Sequence, residues 1–120
     1  IVVGDQTDVL DLLCIFDACR RASKNCAIKV VGKSSVSNDI FDRVHVLTDY
    51  RTKNAPVENW DYVILTAMNS TRKDKELLQW VGSLEKSVAF GSLGQTKSIG
   101  QDYNCNPGIQ GCYELVSCLF

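Results

Sequence analysis

One stretch, Trp60-Asp61-Tyr62-Val63-Ile64-Leu65-Thr66-Ala67, constrains the fold of this chain more than any other. It is entered through a polar loop containing Pro56 and left through Asn69-Ser70, and its apolar residues follow one another without polar alternation. A run of that kind reads as a strand buried on both faces, and such strands occupy the middle of parallel sheets. The loop that follows, at the strand's carboxyl end, then lies where open α/β sheets bind ligands.

The flanking sequence supplies the other layers. Ile1-Val2-Val3-Gly4-Asp5 reads as a short strand, after which Val9, Leu12, Leu13, Phe16 and Cys19 recur at helical spacing and predict one apolar stripe. Asp5 or Thr7 suits the amino end of this helix as a cap, and Arg20, Arg21 and Lys24 suit its carboxyl end. Cys26 to Gly32 reads as a second strand, which makes a right-handed βαβ unit the default. Ser37 is placed to cap a short helical turn through Phe41, and residues 43–48 read as a third strand. Beyond the central run, Thr71-x-x-Asp74 has the form of a capping box. The helix it opens buries Leu77, Leu78, Val81 and Leu84, with Trp80 to one side. Residues 87–91 form a fifth strand, 91–111 a long loop or hairpin margin, and Cys112 to Leu119 a last apolar strand.

This order predicts a single α/β domain over residues 1–120, a Rossmann-like three-layer fold. Its mostly parallel central sheet would contain residues 1–4, 26–31, 43–48, 60–66 and 87–91. The absence of an initiator Met and the apolar runs at Ile1 and Phe120 fit a piece excised from a longer polypeptide.

Thirteen basic residues against fourteen acidic ones leave a formal charge of −1, with no basic cluster to attract nucleic acid. No apolar stretch approaches the roughly 20 residues of a membrane-spanning helix, and no signal peptide is visible. Six cysteines admit two readings. Cys105 and Cys112 bracket a turn-forming segment and fit a disulfide, whereas Cys14, Cys19 and Cys26 fit buried thiols of a reducing, cytoplasmic compartment, the reading favoured for the set.

The first strand ending Val3-Gly4-Asp5, the second near Val30-Val31, the third from Val44 to Thr48 and the fourth reading Trp60-Asp61-Tyr62-Val63-Ile64-Leu65-Thr66 together resemble a pared-down class I methyltransferase domain over roughly residues 1 to 93. That resemblance implies S-adenosylmethionine or a nucleotide as cofactor and a transferase activity. The chain departs from the family at the glycine-rich turn, where Gly4 stands alone before Asp5-Gln6-Thr7-Asp8, so a degenerate, non-binding member fits equally. The segment from Asn104-Cys105 to Leu119 is slightly similar to the structural, non-catalytic reductase region of animal fatty acid synthases.

In a parallel sheet the loops at the carboxyl ends of adjacent central strands leave a crevice, and here those loops contain Gly4, Asp5, Gln6, Thr66, Asn69 and Ser92. These six are the expected cofactor-binding residues, with Asp5 favouring hydroxyl donors or cations and repelling bare phosphate. Lys24 and Asn59, at the opposite end, are expected to matter less. Each candidate also has a plainer role. Asp5, Asp8 and Asp11 suit helix capping better than a metal, and Thr66 and Asn69 suit a turn. His45, the single histidine, suits a structural place in its strand, and Cys105, Cys112 and Cys118 lack the C-x2-C spacing of zinc knuckles. No catalytic set and no metal site is therefore expected. Two functions stand: a non-catalytic binding or scaffold module whose partners are other domains or subunits, or a nucleotide- or S-adenosylmethionine-dependent transferase.

Overall fold

The computed structural model describes residues 1–3, 6–39, 44–66, 75–94 and 99–120. Its centre is a six-stranded sheet in the order β6-β3-β1-β7-β8-β9. These strands are β1 (Val2–Val3), β3 (Val31–Gly32), β6 (Tyr50–Arg51), β7 (Tyr62–Leu65), β8 (Ala89–Leu93) and β9 (Tyr103–Cys105). Every pairing among them is parallel. β2 (Gln6–Thr7), β4 (Val36–Asp39) and β5 (His45–Leu47) form a separate three-stranded sheet. The three described helices are α1 (Val9–Ala22), α2 (Lys75–Gly82) and α3 (Ile109–Leu119).

Alternation along the strands sends side chains into two cores. Val63, Leu65, Val2 and Phe90 face Leu77, Trp80 and Val81 of α2, whereas Ile64 and Leu93 face α1 and α3. Val63 to Leu65 are therefore buried on both faces at the middle of a parallel sheet, while Tyr62 at the strand's start is exposed, and the expected Rossmann-like three-layer α/β architecture is the one observed. Among the described residues no helix is long and apolar enough to cross a membrane.

Several local expectations are corrected. The Cys112–Leu119 segment is not a strand but most of α3, because its buried residues Cys112, Leu115, Val116 and Leu119 recur at i, i+3, i+4 and i+7, a helical period. The parallel strand expected at residues 43–48 is shorter and lies outside the central sheet. β5 runs antiparallel to β4, and its outward-facing His45 and Leu47 cannot occupy a position covered on both sides. The place beside β3 is taken by β6. Ser37 does not cap a turn: it lies in β4, buried, with its hydroxyl 2.5 Å from that of Thr7 in the paired strand β2. Phe41 lies outside the described residues.

The buried face of α1 is also rotated from the predicted stripe. Leu13 is 58% exposed, while Asp11, Leu12, Cys14, Ile15, Ala18 and Cys19 are buried. The cause is α3, which packs on α1 and covers a flank that a last strand would have left open. Asp8 caps the helix, accepting from the Leu10 N–H at 3.1 Å, in place of Thr7; Asp5 lies outside the described residues. In α2, Trp80 is buried rather than lateral and donates its indole N–H to the Ala55 carbonyl at 3.1 Å. The capping residues proposed for that helix, Thr71 and Asp74, lie outside the described residues.

Candidate functional site

The strand order locates the crevice. Numbered along the chain within the central sheet alone, the strands run 3-2-1-4-5-6, the order of a doubly wound sheet; without the two-residue β6 they run 2-1-3-4-5. In either count the order reverses between β1 and β7. These two strands are parallel neighbours with Val2 opposite Leu65, so their carboxyl ends sit side by side. Register extends the row through Val31, Val2, Leu65, Ser92 and Asn104. The sheet thus brings Thr66 and Ser92 to the same end, as the crevice argument requires.

Their side chains, however, are engaged within the sheet. Thr66 is 4% exposed and donates both its N–H and its hydroxyl to the Val2 carbonyl, at 3.1 and 3.0 Å. Ser92 is fully buried inside β8, which runs two residues past its expected end, and its hydroxyl donates to Asn104 Oδ1 at 3.1 Å. Gln6 opens β2, where its backbone is aligned with Asn38. Gly4, Asp5 and Asn69 lie outside the described residues.

A second polar cluster joins α1 to α3. The Asp11 carboxylate, on a residue only 6% exposed, faces Gly108 and Cys112 at the amino end of α3, and their polar hydrogens favour its charged form. Burial raises the pKa of Asp11 above the usual carboxylate range, and Asp8 nearby adds to the rise. Burial also pushes the Cys112 thiol up to about 12, reinforced by Asp11, and the Cys19 thiol up to about 11. At the far end of the interface the Tyr113 hydroxyl donates to Asp17, which also accepts from Arg21 at 2.8 Å. These two hydrogen bonds hold Asp17 below its ordinary range. The cluster ties the helices together and keeps its thiols protonated, which makes them poor nucleophiles.

All six cysteines are free thiols, and only Cys118 is exposed. At pH 8, iodoacetamide is expected to modify Cys118 at the rate of an ordinary thiol and Cys112 at least about a hundredfold more slowly. A timed pulse followed by peptide mass spectrometry reads both rates; equal rates would mean that the α1–α3 interface opens freely. Among the described residues no group of three or more His, Cys, Asp or Glu side chains is placed to hold a metal ion.

A cavity lies at the other end of the sheet. It has a volume of about 550 Å³ and is lined by Tyr50, Trp60, Tyr62, Trp80 and Phe120, with Lys29, Glu58 and Asp61 among its polar groups. It adjoins the amino ends of β1, β3 and β7, where Asn59 also lines it. Sequence reasoning passed over this end because the general rule for α/β sheets favours the opposite one. The available signal was the aromatic-acid-aromatic entry to the central strand, Trp60-Asp61-Tyr62.

No protein-family model matches this chain, and neither does any curated protein. Its fold is similar to that of solved structures. One is a two-domain protein containing DJ-1/ThiJ/PfpI-like and ferritin-like domains from Anabaena variabilis, with a TM-score of 0.61 and 12% identity over 85% of this chain and 39% of that one. Another is the VC2308 protein, with a TM-score of 0.60 and 13% identity over 77% of this chain and 49% of that one. The chain thus spans less than half the length of either neighbour.

Proposed function

We propose that this chain is a non-catalytic Rossmann-like binding module of a larger multidomain protein. The observation that carries this reading is the engagement of the crevice hydroxyls. Thr66 and Ser92, which a cofactor would need, are buried and donate instead to the Val2 carbonyl and to Asn104. Turning either hydroxyl toward a ligand would give up a hydrogen bond made within the sheet, a net loss of about 0.5 to 1.5 kcal/mol. Apolar side chains on the outside are consistent with partner contacts: Val36 and Leu47 form an exposed cross-strand pair, and Leu10 and Leu13 project one turn apart from α1.

The reversal of strand order between β1 and β7 favours the alternative, a nucleotide- or S-adenosylmethionine-dependent transferase resembling the class I methyltransferases. Thermal denaturation separates the two readings. A ligand of the folded protein present at about 100 times its Kd adds about 2.7 kcal/mol of stability. The module reading expects an unchanged melting temperature with millimolar ATP, NAD or S-adenosylmethionine. A saturable rise with any of them that is lost in Thr66→Val or Ser92→Ala would replace it with the transferase reading.

A further inference from the structure

We infer that the cavity at the amino ends of the central strands is a binding site for a small organic cation, a quaternary or alkylated ammonium carrying an apolar group. The site is distinct from the carboxyl-end crevice, and the inference stands whether or not that crevice holds a nucleotide. Three observations converge on it.

The first is size and wall chemistry. About 550 Å³ is the volume of a small-molecule pocket, and its walls are unusually aromatic for a chain with two tryptophans, both of which line it. Tyr50 and Trp60 meet edge to face, with ring centroids 6.0 Å apart and planes at 82°, so they present two walls of a right-angled corner. Tyr62 and Phe120 stack face to face, with ring centroids 4.0 Å apart and planes at 13°. Aromatic faces set around a concavity attract cations through the ring quadrupole, and a desolvated site strengthens that attraction.

The second is charge. Glu58 and Asp61 line the cavity with one basic side chain, Lys29. The carboxyl end of α1 reaches the wall through Cys19 and Ser23, and a helix carboxyl end carries partial negative charge. Arg20 and Arg21 in the last turn of α1 oppose this partial charge, and Arg20 stays cationic while it donates to the Cys26 carbonyl at 2.5 Å. Among the lining side chains the carboxylates outnumber the one ammonium, so the wall favours a cation over an anion.

The third is backbone conformation. Asn59, with φ at 69°, is the only non-glycine residue of positive φ among the described residues. It sits between Glu58 and Trp60, and the four consecutive residues 58–61 all line the cavity. A left-handed residue there turns the chain around the cavity rim, and such conformations concentrate at binding sites.

The test uses tryptophan emission, since both reporters line the cavity. The protein is titrated with benzyltrimethylammonium chloride at constant ionic strength, and separately with benzyl alcohol and with sodium benzenesulfonate. A saturable change with the cation alone is expected. Glu58→Gln combined with Asp61→Asn should weaken it about fivefold, because two partly exposed charge interactions are removed. Trp60→Leu, read through Trp80, should weaken it about tenfold. Far-UV circular dichroism verifies folding, and the carboxylate variants provide the decisive comparison if Trp60→Leu fails to fold. Absence of saturation with the cation, equal binding of benzenesulfonate or benzyl alcohol, or an unchanged affinity in the double carboxylate variant would each overturn the assignment. None of these outcomes depends on the nucleotide titrations, so this inference and the module reading fail separately.

Discussion

Gly111→Ala is expected to destabilise the protein by about 3 kcal/mol or more, at the upper end of what overpacking does. A Cβ added at Gly111 would lie 1.6 Å from the carbonyl oxygen of Asn106 and 2.7 Å from its carbonyl carbon. Both are main-chain atoms, so no rotamer change relieves the collision; the loop and the first turn of α3 must separate. That separation also disturbs the approach of Asp11 to Gly108 and Cys112, and it lifts Leu115 and Val116 from the core they share with Ile15 and Ile64. Gly82→Ala is the matched control. Gly82 closes α2 with nothing within 4 Å of the added carbon, and the change should be neutral or stabilising by up to about 1 kcal/mol. Urea denaturation of the two variants measures the contrast. A Gly111→Ala protein within 1 kcal/mol of the parent would show that the α3 amino end does not hold this close contact in solution.

The second large effect is a coupling between β8 and α3. Leu115 is fully buried, and its truncation to alanine should cost about 2 to 5 kcal/mol. Gly91 lies directly beneath it: a Cβ there would come within 2.7 Å of Leu115 Cδ1 and 3.0 Å of Leu119 Cδ1. Gly91→Ala alone should therefore cost about 1 to 3 kcal/mol. The double variant should be less damaging than the two losses added together, by about 1 kcal/mol or more, because the new methyl enters space that Leu115 has vacated. Strict additivity in a double-mutant cycle would mean that the sheet and helix do not meet at this point.

Much of the architecture was legible because it rests on local patterns. The unbroken run from Tyr62 to Leu65 marked a strand buried on both faces, and the helical period between two short strands marked a βαβ unit. These are statements about which faces must avoid water, and they hold whatever the neighbours are. The helix at Ile109–Leu119 was legible too, in the spacing of Cys112, Leu115, Val116 and Leu119, but a short apolar segment with β-branched Val116 also fits a strand.

What the sequence by itself determined, then, is the alternation of layers and the central place of one strand. Tertiary structure decided everything that depends on which element packs beside which. Leu13 belongs to a plausible apolar stripe, yet it is exposed because α3 settles on the other flank of α1 and buries Asp11 there. Ser92 and Thr66 look available at strand ends, yet pairing with β9 and β1 supplies them with partners 12 and 64 residues away in the chain. The aromatic cavity likewise joins Tyr50, the Trp60–Tyr62 entry to β7 and Phe120 from three separate places in the fold. Periodicity reports one face of one element at a time. A site assembled from several elements is set by register and packing, and those are properties of the folded chain alone.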